Sequence, residues 1–422
     1  MRGSTAGITD GLQGQSKAHY LLLSILDILI GTLVITPLVI AYWRATWGLF
    51  DTYVFPDNPL SSALTSVGIS FAILFVFNLF QKKIRETLNP DIHRLLFYTL
   101  SRLYTKLFSI ACVNSWRGIW DILDIVLGTD DPRWTALSVL FAFVLLIPMK
   151  TLRNLSAPPF AIVTDRYKGY FDVPTLFRIR ASQNMFLYVM DSFFSVFVIG
   201  SLVVFVWRGL WGLLDIYLYN ADSVKSAAAS LTMGYTLVFS TFLLQPLVKR
   251  VVSKISGFWR VFIVDVYLLF SLCGTVNVWR GIWATLDCYF ETENPKHKVV
   301  GFWLSHIVCF LILVFINSSN SILVRGVYID AEEDGGKCVD FPCYYLRLFF
   351  QSKRRKKFLK QLQKKQEVSR RKSEDNHISC ETLVPTSGQQ DPLINHIYLH
   401  HKRASIISPS SPTLPRETNT VV

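Results

Sequence analysis

Charge is scarce in this chain, and the usual marks of a catalytic site are missing. Asp, Glu, Lys and Arg make up 17% of its 422 residues, against roughly a quarter in a soluble domain. Soluble globular packing is therefore the weak reading. There is no glycine-rich phosphate loop, no HExxH and no GxSxG. Phosphoryl transfer, zinc proteolysis and serine hydrolysis lack the residues they require. The seven cysteines, Cys112, Cys273, Cys288, Cys309, Cys338, Cys343 and Cys380, include no CxxC. An odd count without that spacing argues against a disulfide framework and a zinc site. The histidines show no clear metal-ligand spacing. No metal, no cofactor and no enzymatic activity are expected. The first 18 residues are polar, and the apolar run after them has no small-residue cleavage site, so that run reads as a spanning helix and not as a cleaved leader.

What the chain has instead is apolar runs and a repeat. Hydrophobic residues make up 51%, gathered into stretches near the length of about 20 residues that crosses a bilayer core. Eight spans are predicted, at 20–50, 62–80, 95–123, 135–149, 185–214, 226–247, 261–286 and 299–324. The odd-numbered spans end in one motif, written four times: WRATWGLFDTY from Trp43, WRGIWDILDIV from Trp116, WRGLWGLLDIY from Trp207 and WRGIWATLDCY from Trp279. Every copy keeps Trp, Arg at the next position, Trp four on and Asp eight on. The kept residues are Trp43, Arg44, Trp47 and Asp51; Trp116, Arg117, Trp120 and Asp124; Trp207, Arg208, Trp211 and Asp215; Trp279, Arg280, Trp283 and Asp287. The spacings imply a unit of about 72 residues that was doubled, and a doublet that was doubled again. Asn114 with Asn277 and Tyr104 with Tyr267 keep the longer register outside the motif. The expected fold is all-α: a polytopic membrane bundle of eight helices built from four tandem two-helix repeats.

Loop charges orient it. Segments after the even spans are basic, with Lys82, Lys83 and Arg85, then Lys150 and Arg153, then Lys249 and Arg250. Segments after the odd spans are short and acidic, with Asp57, Asp130, Asp131 and Asp222 among them. The positive-inside rule makes the basic side cytoplasmic, with both termini inside and all four motifs at the outer face. The divisions expected are a cytoplasmic N-terminus (1–18), a first four-helix half (19–150), a cytoplasmic linker (151–183), a second half (184–325) and a basic, largely disordered cytoplasmic tail (326–422).

On a helix, Trp, the Trp four on and the Asp eight on form one slowly drifting stripe. The motif Arg and Asp are seven apart, about 10 Å along the axis, too far to touch within one straight helix. Each Arg is therefore expected to meet an Asp of a neighbouring copy, or the helix to unwind at Gly. Two roles stay open: a structural joint of interfacial Trp and snorkelling Arg, or an outer vestibule of Arg–Asp pairs that binds an ion. Asp27, Arg102, Asp191 and Asp265 fall inside apolar runs, where charge is costly. They are expected either to form an intramembrane polar cluster or to face the inner headgroups.

Between Lys353 and Lys372 stand eleven Lys or Arg and one acid, Glu367. This segment can lie as a basic amphipathic helix on anionic inner-leaflet lipid. Tethered beneath a membrane, it is not expected to meet nucleic acid. Cys338 and Cys343, beside aromatic residues, are palmitoylation candidates. The terminal Thr420-Val421-Val422 has the form of a PDZ-domain ligand.

The fourfold WRGxW…D pattern on an eight-span chain resembles the fuseless family of invertebrate membrane proteins, over roughly 20–325. The first copy departs from it with Ala45 and Thr46, the second with Val126. The resemblance implies a multi-pass protein of the presynaptic plasma membrane that organises voltage-gated calcium channels and supports neurotransmitter release. The alternative is a transporter or channel whose pathway is lined by the repeated Arg and Asp residues.

Overall fold

A computed structural model describes residues 17–369, apart from 89, 91–92, 166–168, 291–293, 342, 344, 348–349, 351–359 and 365. No strand occurs among the described residues. The main elements are helices α1 (Leu21–Tyr53), α2 (Pro59–Leu79), α3 (Arg94–Leu127), α4 (Pro132–Leu146), α5 (Met185–Tyr217), α6 (Ser223–Val252), α7 (Gly257–Phe290) and α8 (Pro295–Phe315). Six of these are long and apolar enough to cross a membrane: α1, α2, α5, α6, α7 and α8. The other two fall short for different reasons. α4 has 15 residues, and α3, with 34, carries Arg102, Lys106, Arg117, Asp121 and Asp124 along its length. Both α1 and α5 are interrupted by a π-helical turn, at Gly31–Ile35 and Phe194–Ile199.

The short acidic segments have a local job as well as a charge. Each even helix starts on an Asn or Asp whose side chain accepts from a backbone N–H of the first turn: Asn58 from Ser61, Asp131 from Arg133, Asp222 from Lys225 and Asn294 from Lys296. Three of the four follow the cap with proline, whose missing N–H costs nothing at that position.

The odd helices stand in a ring around one axis, each beside the next, with α7 returning to α1. The even helices lie outside them. The repeat suggests a hairpin of each odd helix with the even helix that follows it, and the packing is otherwise. α3 lies along α2, α5 along α4 and α7 along α6, and α8 closes the circle on α1. Each long helix thus pairs with the even helix before it. The glycine two residues after the first motif Trp makes this approach close. At Gly281 a methyl group would come within 2.7 Å of the Leu231 nitrogen, and at Gly118 within 2.9 Å of the Ala63 carbonyl oxygen. The even helices turn apolar side chains outward, such as Leu64, Phe141, Leu243 and Phe315, the last two 81% and 86% exposed. An apolar girdle of this extent suits a bilayer and not water.

The basic end is filled by chain. After α4 and α8 the backbone turns back at Lys150 and Asn317, both at positive φ, and forms the 3-10 turns Leu152–Leu155 and Ser319–Ile322. The halves exchange caps. Asp330 accepts from the Leu152 and Arg153 amides at 2.8 and 2.7 Å. Asp165 accepts from those of Ser319 and Asn320 at 3.0 and 2.8 Å. The segment 151–183, expected as a linker, contributes the buried Phe160, Phe171 and Val173. Residues 327–347, expected to begin the tail, contribute the buried Val327, Cys338, Phe341 and Cys343. Beyond them, residues 360–364 and 366–369 are helical and exposed.

Candidate functional site

The four motifs meet on the axis. A Trp every fourth residue puts two indoles of each odd helix on its inner face, one turn apart. Trp43, Trp116, Trp207 and Trp279 form a closed ring, with centroids 5.3 to 5.5 Å apart around the circuit. Trp47, Trp120, Trp211 and Trp283 form a second ring, at 5.7 to 5.9 Å. All eight contacts are edge-to-face, the arrangement favoured by the ring quadrupole and worth about 0.5–1.5 kcal/mol each beyond burial. The first ring rests on the re-entrant segments. The indole N–H of Trp43 donates to the Ile322 carbonyl, that of Trp207 to Leu155 and that of Trp279 to Pro158, at 3.0, 3.1 and 2.7 Å.

A second circuit surrounds the rings. Arg117 donates to Asp51 at 2.6 Å, Arg208 to Asp124 at 2.9 Å, Arg280 to Asp215 at 2.8 Å and Arg44 to Asp287 at 2.5 Å. Each Arg takes the Asp of the copy before it, and the first takes that of the last. The helices run unbroken through the motif glycines. The guanidiniums are buried and the carboxylates half-exposed, at 5% against 52% for Arg117 and Asp51. Arg117 also donates to Ser62 and Ser66, and Arg280 to Ser226 and Ser230. Arg208 reaches the Gly128 carbonyl, and Arg44 stacks on Phe302 at 5.2 Å. The arginines thus face the seams between helices and not the axis.

A family model described as Fuseless matches residues 22–323. The chain belongs to the fuseless family. No curated protein and no solved structure matches it. The matched residues of this fuseless-family protein contain all four motifs.

The four intramembrane charges do not gather. Asp27 accepts from Arg347 at 2.8 Å and from the Leu346 amide. Asp191 accepts from Thr175 at 2.6 Å and from the Phe177 and Ile179 amides. Arg102 pairs with Asp165 at 2.8 Å. Asp265 is buried with one oxygen unbonded. The expected cluster is therefore corrected to separate sites: Asp27, Asp191 and Arg102 are anchors, each reached first by backbone amides or charges of a different basic-end segment. Cys338 and Cys343 are corrected as well: they are 1% and 2% exposed, and Cys343 donates to the Asp27 carbonyl. Burial pushes the Cys343 thiol up to about 12, so neither presents a thiolate to acylation. Thr420, Val421 and Val422 lie outside the described residues, as does most of Lys353–Lys372.

One polar group escaped the sequence reading. Lys106 of α3 lies 2.6 Å from His306 Nε2 of α8, over the rings of Phe310 and Tyr42. His306 Nδ1 meets Thr46 at 2.7 Å. This knot ties α3, α1 and α8 at the seam where the circle closes. Neither residue has a counterpart in the repeat register, so periodicity gave no signal.

Proposed function

We propose that this fuseless-family protein is a non-enzymatic, eight-span membrane scaffold, with both termini cytoplasmic, that organises voltage-gated calcium channels at the presynaptic membrane and supports neurotransmitter release. The observation that carries the reading is the pair of closed tryptophan rings. Eight indoles in edge-to-face contact fill the axis where a pathway would run. The repeated arginines are spent on neighbouring helices, so they favour the joint over the vestibule. α3 and α4 count as spans because they stand in the repeat beside helices that satisfy length and hydropathy, and the charges within α3, Arg102, Lys106 and Arg117, meet partners within the bundle. The presynaptic and channel-organising role rests on what is associated with the family. The basic stretch Lys353–Lys372 would hold the tail on anionic lipid, and Thr420–Val422 would engage a PDZ protein.

Two measurements test this together. The full chain reconstituted in liposomes should pass neither ions nor small solutes. In neurons that lack it, the full chain should restore calcium-channel clusters at release sites, and a chain without 353–422 should not. A saturable flux through the liposomes, or full rescue without the tail, overturns the scaffold reading. An epitope inserted after Asp57 should be reached from outside an intact cell; labelling only after permeabilisation overturns the orientation.

A further inference from the structure

Three of the four inner-ring indoles have a backbone acceptor, and the fourth does not. Repeat register would pair Trp116 with the Arg325 carbonyl, as Trp279 is paired with Pro158. At that place the first half reads Ala157-Pro158-Pro159 and the second Val324-Arg325-Gly326. The Val324 carbonyl is taken by the Cys112 thiol at 3.2 Å, and no acceptor meets the Trp116 N–H among the described residues. A cavity of about 80 Å³ opens there, lined by Trp116, Arg325, Asn78, Arg153, Ser115 and Cys112 with apolar walls from α2, α3 and α5.

The lining has one sign. It includes two arginines and no Asp or Glu. Arg153 is occupied by the Cys338 and Asp340 carbonyls. Arg325 makes no ion pair among the described residues, and its Nη1 is buried without a hydrogen-bond acceptor. Asn78, 1% exposed, has an Nδ2 in the same condition. Arg325 faces Tyr104, within hydrogen-bond reach of its guanidinium, and Cys112 and Tyr170; a phenol or thiol brings no negative charge at neutral pH. Buried N–H groups are almost always satisfied, and an uncompensated buried cation is costly.

We propose that this cavity holds a small inorganic anion, of halide or nitrate size, bound by the guanidinium of Arg325, the amide of Asn78 and the indole N–H of Trp116. The charge excess favours an anion: water alone would fill the donors and leave the buried end of Arg325 without a counter-charge. The volume admits several waters, or one such anion with its water, and no nucleotide or sugar. The anion supplies at Trp116 the acceptor that backbone supplies at the other three corners, and so completes the first ring. This inference is independent of the scaffold reading.

The full chain, purified in neutral detergent with sodium gluconate as the only salt, is titrated with sodium chloride or bromide at constant ionic strength. Thermal unfolding is followed by circular dichroism. The melting temperature should rise saturably with halide. The rise should vanish in Arg325→Gln, persist in part in Arg325→Lys, and weaken in Asn78→Leu and Trp116→Phe. If Arg325→Gln does not fold, Asn78→Leu and Trp116→Phe decide the matter. No halide-specific rise, or the same rise in the variants, overturns the site. A rise produced by phosphatidylglycerol and not by halide also overturns it, assigning the cavity to a lipid headgroup.

Discussion

Arg280 and Asp215 are bonded at 2.8 Å but unequally buried, with side chains 6% and 55% exposed. Truncating one is therefore unlike truncating the other. Asp215→Ala removes the half-exposed partner and strands a guanidinium that keeps only the Ser226 and Ser230 hydroxyls and a long contact to the Ser226 carbonyl. Breaking a buried pair from one side costs about 3–5 kcal/mol. With the carboxylate half in solvent, the lower edge applies, about 3 kcal/mol. Arg280→Met keeps the stem volume and leaves a carboxylate that water can reach. Ser226 still donates to the Leu218 carbonyl, so the loss should be about 1–2 kcal/mol. The double variant Asp215→Leu/Arg280→Met removes both charges and should recover most of the larger loss. Asp51→Ala is an internal control: Arg117 keeps Asp121 at 3.4 Å, whereas the same place beside Arg280 is Ala284. Its loss should be smaller than that of Asp215→Ala. Helicity against SDS mole fraction, on the full chain in mixed micelles, reads all four. Equal losses for the two single variants, or a double variant equal to their sum, would refute the reasoning.

The ring itself should be costly to open: Trp207→Ala is expected to lose about 3–5 kcal/mol, and Trp207→Phe about 1 kcal/mol for the lost N–H bond to Leu155, in the same unfolding assay. Gly281→Ala should cost about 1–3 kcal/mol because the Leu231 backbone cannot yield, whereas Gly301, which faces open space, should accept Ala without effect. Cys338 and Cys343 should resist maleimide in the folded protein and react after SDS unfolding, as read by peptide mass; prompt labelling of either would contradict their burial. Burial pushes the Asp330 carboxyl from 3.8 up to about 6 against the pull of two backbone amides, Arg153 and Lys150. A carboxyl raised on folding contributes stability below its unfolded value and loses it as pH rises through the folded one. The unfolding midpoint should therefore fall between pH 4 and 6, and Asp330→Asn should flatten that slope.

Much of the centre was legible in the sequence, because it repeats. Four Trp pairs at the same spacing could hardly serve four different purposes, and an Arg too far from its own Asp had to look to another helix unless its own helix unwound at Gly. Which neighbour it finds was not legible. The spacing is the same whether α3 lies along α2 or along α4, and only three-dimensional closure decides. The basic end was illegible for another reason. Asp165 and Asp330 cap turns from the opposite half, and such irregular segments have neither period nor local propensity to betray them. Asp27 and Asp191 stand out as charges in apolar runs, yet their partners, Arg347 and residues 175–179, come from stretches that read as tail and linker. Lys106, a charge inside the span 95–123, carries the same signal as Arg102, but its partner His306 keeps no register in the repeat and could not be named.

Because α1 rests against α8, the outer neighbour of the first inner helix is the last of the eight helices to be made. The nascent chain must leave the flank of its first helix facing lipid, or a chaperone, until α8 is inserted. A stop codon at residue 287, or shortly before it, would then do more than shorten the product. It would release an open seam into the membrane, with Arg44 facing outward and neither Asp287 nor Phe302 to receive it.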